Sequence, residues 1–248
     1  MDWLSSLFAF DPDKEKRTFL LLWFFPVFTV AALWTDSAGF ASMYFDGRLL
    51  TNILAILYFV LFFIYANPYL RKLLFCMVFL SYIGELIFFK ALNMYAYRTS
   101  DIPLYVPFGH AIVYGSGFIL AETQFFRSNE NQLRKLFLIT FSLLFLFVGL
   151  VLEDIFSLIF GTLFFVLMKR KKWQNLYYAI ALCVIFIELV GTYFRCWTWV
   201  PKTFGIIPAV NPPMGAVFFY AGGDIILAKI VACWKSNVEL KNNRKFTN

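Results

Sequence analysis

Residues 73–92 run LLFCMVFLSYIGELIFFKAL, twenty positions with one acid, Glu85, and one base, Lys90, near the end. A membrane-crossing helix needs about 20 mainly apolar residues, and this run meets that length with a single carboxyl inside it. Residues 176–194, LYYAIALCVIFIELVGTYF, have the same build, with Glu188 as the only charge. Working outward from these two, hydropathy predicts eight spans: Thr18–Thr35, Leu49–Ala66, Leu73–Leu92, Pro107–Phe126, Leu136–Leu150, Leu152–Met168, Leu176–Phe194 and Pro213–Trp234. The fifth and sixth are short, and only Glu153 and Asp154 break the run between them. That break predicts a tight acidic turn, with one long helix as the alternative.

The composition agrees. Of 248 residues 61% are hydrophobic and 15% charged, against about 45–50% and about 25% in an ordinary soluble domain. Mean hydropathy is +0.71. A disordered chain, a secreted disulfide scaffold and a nucleic-acid-binding module are excluded. The net charge of +7 follows from topology, because membrane proteins gather Lys and Arg on the cytoplasmic side. With the N-terminus inside, the loops divide their basic residues sixteen to five in favour of the cytoplasm. Both termini are therefore expected there, in a bacterial inner membrane. Met1–Phe10, rich in aromatic and Leu residues, is expected to lie on the membrane surface or to fray. A single His excludes di-iron, bis-His haem and His-rich zinc chemistry, which need several imidazoles. No metal or cofactor is expected.

The two halves resemble each other. Glu85-Leu86 is followed by Tyr95-Ala96-Tyr97, Ile102-Pro103, Pro107, Tyr114 and Gly117. Glu188-Leu189 is followed by Trp197-Thr198-Trp199, Ile207-Pro208, Pro212-Pro213, Tyr220 and Gly223. The expected architecture is an all-α polytopic membrane protein of two tandem four-helix units, 18–126 and 136–234, in parallel orientation. They are joined by a cytoplasmic linker 127–135 and flanked by an N-terminal segment 1–17 and a basic tail 235–248.

Ionisable groups at membrane depth are functional candidates by default. Glu85, Glu188 and Asp224 are expected in the middle or outer half of the bilayer, with His110 at the outer start of the fourth helix. These four are the expected proton donors and acceptors, since a carboxyl raised in pKa by low dielectric can protonate an apolar substrate. Tyr95, Tyr97, Trp197 and Trp199 at the outer interface, with Arg98, Arg195, Tyr114, Tyr220 and Asn211, are the expected binding residues. Asn211-Pro212-Pro213 is also expected to cap the eighth helix. A structural alternative pairs Arg98 and Arg195 with the two glutamates and so locks the halves together. Cys196, in an outer loop, is expected to react with an impermeant thiol reagent.

The segment Glu85-Leu86-Ile87, Tyr95-x-Tyr97, Ile102-Pro103 and Pro107 resembles the motif of integral-membrane carotenoid hydratases and related cyclases. The resemblance covers residues 85–107 and lacks the glycine-rich stretch that follows the Glu in those families. It implies carboxylic acids that protonate an isolated isoprenoid double bond. Three functions are thus open: an enzyme or binding protein for an apolar lipid or isoprenoid, a proton-coupled small transporter or lipid translocator, and a non-catalytic membrane subunit. The expected partners are the bilayer and an apolar or amphipathic small molecule, with no nucleic acid.

Overall fold

Side chains that accept a free backbone N–H set where several of the helices begin. Ser37 accepts from Phe40, Asn67 from Leu70 with Pro68 at the first helical position, and Asp154 from Ser157, each satisfying a donor that the first turn leaves open. The computed structural model describes the backbone of residues 12–169 and 171–245, and the side chains of 19–169 and 171–233. In chain order it contains α1 (Pro12–Asp36), α2 (Ala38–Met43), α3 (Arg48–Tyr65) and α4 (Pro68–Glu85), which runs on as a π-helical turn over Leu86–Ala91. Then come β1 (Tyr95–Tyr97), α5 (Tyr105–Glu122), α6 (Gln124–Ser128), α7 (Glu130–Val151), α8 (Ile155–Met168) and α9 (Gln174–Tyr193). The chain closes with β2 (Trp197–Trp199), β3 (Lys202–Thr203), β4 (Ile207–Pro208), a 3-10 turn at Met214–Ala216 and α10 (Val217–Lys245).

Six helical segments among the described residues are long and apolar enough to cross a membrane: Phe19–Asp36, Arg48–Tyr65, Pro68–Ala91, Glu130–Val151, Gln174–Tyr193 and Met214–Cys233. Their outward faces carry large apolar groups such as Trp23, Leu57, Phe79 and Leu143, a surface suited to hydrocarbon rather than water. The other two expected spans also fold as helices but do not reach the same length and hydropathy. Helix α5 holds His110, Tyr114, Ser116 and three glycines. Most of it is buried between α4 and α9, so protein rather than lipid surrounds it. Helix α8 has 14 residues, about 21 Å, short of a hydrocarbon core of about 30 Å. The acidic break forms a turn, with Glu153 at φ 55° and Asp154 capping α8. The residues expected as a linker, 127–135, are helical in α6 and α7, and α10 continues past the expected span end to Lys245. The expected interfacial segment Met1–Phe10 lies outside the described residues.

The expected units 18–126 and 136–234 share one core. Helix α5 packs most extensively on α9, and α1 also touches α9. Gly117 makes the α5–α9 crossing close: a Cβ there would lie 2.5 Å from the Cα of Ile180. At one end of the bundle β1 and β2 pair antiparallel, Tyr95 opposite Trp199, Ala96 opposite Thr198 and Tyr97 opposite Trp197. Asn93 (φ 48°) precedes β1 by two residues and Arg195 (φ 55°) precedes β2 by two. Each is a left-handed turn that ends a helix and sends the chain back across the bundle.

Candidate functional site

Glu85 ends α4 where the helix widens into its π turn, a local distortion that frequently marks functional sites. Its Oε2 accepts the hydroxyls of Tyr95 at 2.8 Å and Tyr97 at 2.7 Å, and its Oε1 lies 3.0 Å from Nε2 of His110. Burial, together with the neighbouring Glu85 carboxylate, pushes both phenols well above their ordinary pKa, which keeps them protonated as donors. In the other half, Glu188 Oε2 accepts the indole N–H of Trp197 at 2.9 Å and of Trp199 at 3.0 Å. Each aromatic pair therefore points both rings at the glutamate of its own half. The β1–β2 pairing brings the two assemblies together, with Tyr95 and Trp199 ring centroids 4.9 Å apart.

The two carboxyls differ in what they leave free. An indole N–H only donates, so both tryptophans fix Glu188 Oε2 as an acceptor. Glu188 Oε1 has no hydrogen-bond partner among the described residues, and the side chain lines a cavity. A proton carried by Glu188 is thus confined to Oε1, the oxygen that the indoles leave free. In Glu85 both oxygens are engaged. His110 lines the same cavity and stacks on Tyr220, centroids 5.2 Å apart and planes 24° from parallel.

This cavity, of about 480 Å³, lies among α1, α3, α4, α5, α9 and α10. Apart from the glutamates, His110 and a few hydroxyls its walls are hydrocarbon and aromatic, including Phe28, Phe88 and Phe219. Three wall residues, Ile83 and Ile87 of α4 and Ile226 of α10, are about half exposed, at 51%, 46% and 52%.

Several expected site residues lie elsewhere. Asp224 is buried and accepts from Tyr114 at 2.7 Å and from Tyr177. Tyr177 is in the first turn of α9, whereas Glu188 is near its last, so Asp224 and Tyr114 form a separate cluster towards the opposite end. Asp224 does not join Glu85 and Glu188 because α10 has run about two turns before reaching it. Asn211 accepts from the backbone N–H of Trp199 at 2.9 Å. It braces β2 and does not cap the 3-10 turn that leads into α10, which starts after Pro213 without a side-chain cap.

Neither arginine pairs with a glutamate. Arg195 is an exposed turn residue. Arg98 bonds Asp36 at 3.2 Å and Asp46 at 2.5 Å, and this pairing holds the Asp46 carboxyl below its usual range. Asp36, a residue that sequence reasoning missed, is completely buried and also receives Arg48 Nε at 2.9 Å and the Tyr105 hydroxyl at 2.9 Å. The only signal for it was a set of opposite charges, Asp36, Asp46, Arg48 and Arg98, all at loops of one end.

Cys196 departs from its expectation as well. It is fully buried, its thiol contacts the Leu33 carbonyl oxygen at 3.1 Å, and burial pushes its pKa up. An impermeant maleimide is expected to leave native Cys196 unlabelled from either side and to label it after denaturation, as mass spectrometry of the peptide would report. The turn that buries it depends on Gly191, where a Cβ would come within 1.9 Å of the Trp197 ring. Gly191→Ala is expected to displace Trp197 from Glu188 and lower stability by about 1–3 kcal/mol, measured by thermal unfolding and tryptophan emission. Comparison of the chain with known protein families, with curated proteins and with solved structures gives no match.

Proposed function

We propose that this is an integral membrane protein that takes an apolar lipid or isoprenoid from the bilayer and performs acid–base chemistry on it. One observation carries the reading: Glu188, with its unengaged Oε1, shares with His110 a cavity whose walls are otherwise almost entirely apolar and three of whose residues, Ile83, Ile87 and Ile226, are half exposed. Glu188 is the proton donor. His110, oriented by Glu85 at 3.0 Å, takes a proton back, and separated roles for paired titratable groups are how one site runs acid and base steps. Trp199, Trp197 and Tyr220 offer π faces to positive charge that develops on a hydrocarbon. The reaction class is proton addition to, and removal from, carbon at an isolated double bond.

The same reading takes α5 and α8 as the seventh and eighth spans, the first shielded by protein and the second shortened by its turn. It takes the two Glu–aromatic assemblies as products of a duplication, on the support of their matched geometry and the β1–β2 register. Both termini are then cytoplasmic, in a bacterial inner membrane. The test is mass spectrometry of small molecules extracted from protein purified in mild detergent, wild type against Glu188→Gln. A specific apolar compound enriched on the wild type, with its precursor accumulating on the variant, supports the reading. Bulk phospholipid on both removes it in favour of a transporter or a scaffold.

A further inference from the structure

The glycines of this bundle fall into two groups with opposite environments. At Gly115 and Gly117 an added Cβ would collide with Phe62, Leu74 and Ile180 at 2.5–2.9 Å, so these positions are small because helices touch there. At Gly109, Gly222 and Gly223 an added Cβ would meet no atom within 4 Å, and at Gly84 only the edge of Phe88 at 3.8 Å. All four line the cavity, and all four sit in helical backbone of α4, α5 or α10. Their torsion angles are not left-handed; the only glycine with positive φ is Gly205. Neither packing nor backbone conformation calls for glycine at these positions, and glycine gives up helix propensity relative to alanine.

The remaining difference between glycine and alanine here is the space left in the cavity. Gly84 comes from α4, Gly222 and Gly223 from α10, and Gly109 lies one residue from His110. A straight acyl chain is held better by methyl groups than by bare backbone, because dispersion contacts are lost across a gap. A bare-backbone wall suits a chain that carries its own methyl branches or a ring. We infer that these four glycines set the width of the cavity and select a methyl-branched or ring-bearing hydrocarbon over an unbranched acyl chain. This rests on the cavity being the ligand site, as proposed above, but not on any proton transfer.

The experiment is ligand-dependent thermal stabilisation of the full-length protein in detergent, since a ligand that binds only the folded state raises its melting temperature. The probes are geranylgeraniol, a branched polyprenol, and oleyl alcohol, an unbranched chain. Wild type is expected to shift with geranylgeraniol and far less with oleyl alcohol. Gly223→Leu and Gly109→Ala are expected to weaken geranylgeraniol binding about tenfold or more, while the ligand-free melting temperature stays level or rises. If Gly223→Leu does not fold, the alanine variants at 109, 222 and 223, for which the structure has room, decide the matter. Equal shifts with both probes in wild type, or unchanged binding in the glycine variants, overturn the width inference and leave the proposed chemistry standing. No shift with either probe in wild type overturns both.

Discussion

Replacing Glu188 with Gln is expected to abolish turnover and leave the folded protein nearly unchanged. The amide keeps one carbonyl oxygen, which accepts both indole N–H groups that now bond Glu188 Oε2 at 2.9 and 3.0 Å, so Trp197 and Trp199 stay in position. What disappears is the ionisable oxygen that neither indole engages. Loss of a positioned proton donor typically costs about 100- to 10,000-fold in rate, whereas stability should change by less than about 1 kcal/mol because both indole donors keep their acceptor and the new amide group replaces an oxygen that had no partner either. Glu188→Leu is the informative contrast. It removes the acceptor and leaves two indole donors without a partner, at about 1–3 kcal/mol each. Thermal unfolding of both variants, alongside product analysis, separates the roles. A scaffold role predicts that Gln behaves as wild type in every assay. A fold-holding ion pair predicts that Gln unfolds as readily as Leu, and no arginine among the described residues supplies that pair.

The spacing of each glutamate to its aromatic pair is ten and twelve residues in one half, nine and eleven in the other, and that regularity was visible along the chain. Which way the rings point was not. Their orientation depends on β1 returning against β2 from a hundred residues away, a pairing of three residues with no sequence signal of its own. Span existence was legible because it depends on local apolar content. The polarity of α5, by contrast, is decided by what surrounds it, a tertiary property. Asp224 shows a limit of periodicity: one helical turn relates it to Tyr220, but Tyr220 turns to His110 and Asp224 to Tyr114 and Tyr177. Loops are ordinarily exposed, and Cys196 followed that rule on paper. The left-handed turn at Arg195 folds it under the sheet instead, where the Trp197 ring lies close against helical Gly191. Partners far apart in sequence, such as Arg98 and Asp36 at a separation of 62, were out of reach for the same reason.

That last pair leads to the largest expected effect on stability. Asp36→Ala is expected to destabilise the protein by about 3–5 kcal/mol, because it removes the buried carboxylate shared by two mostly buried guanidinium groups and leaves Arg98 only the exposed Asp46. Asp36 has no exposed surface, and the Arg48 and Arg98 side chains around it are 15% exposed. The cluster ties the end of α1 to the start of α3, the end of β1 and, through the Tyr105 hydroxyl, the start of α5. Its loss releases the strand that carries Tyr95 and Tyr97, so the Glu85 side of the cavity should loosen along with the fold. Asp46 provides an internal control, since it binds the same Arg98 guanidinium but its side chain is 60% exposed. An exposed ion pair contributes about 0–1 kcal/mol, so Asp46→Ala should unfold close to wild type. Thermal unfolding in detergent and the yield of monodisperse protein would measure both. A large loss for Asp36 and a small one for Asp46 follows if burial governs the energetics; equal losses would mean that net charge at this end of the bundle, rather than the buried cluster, holds the strand pair in place.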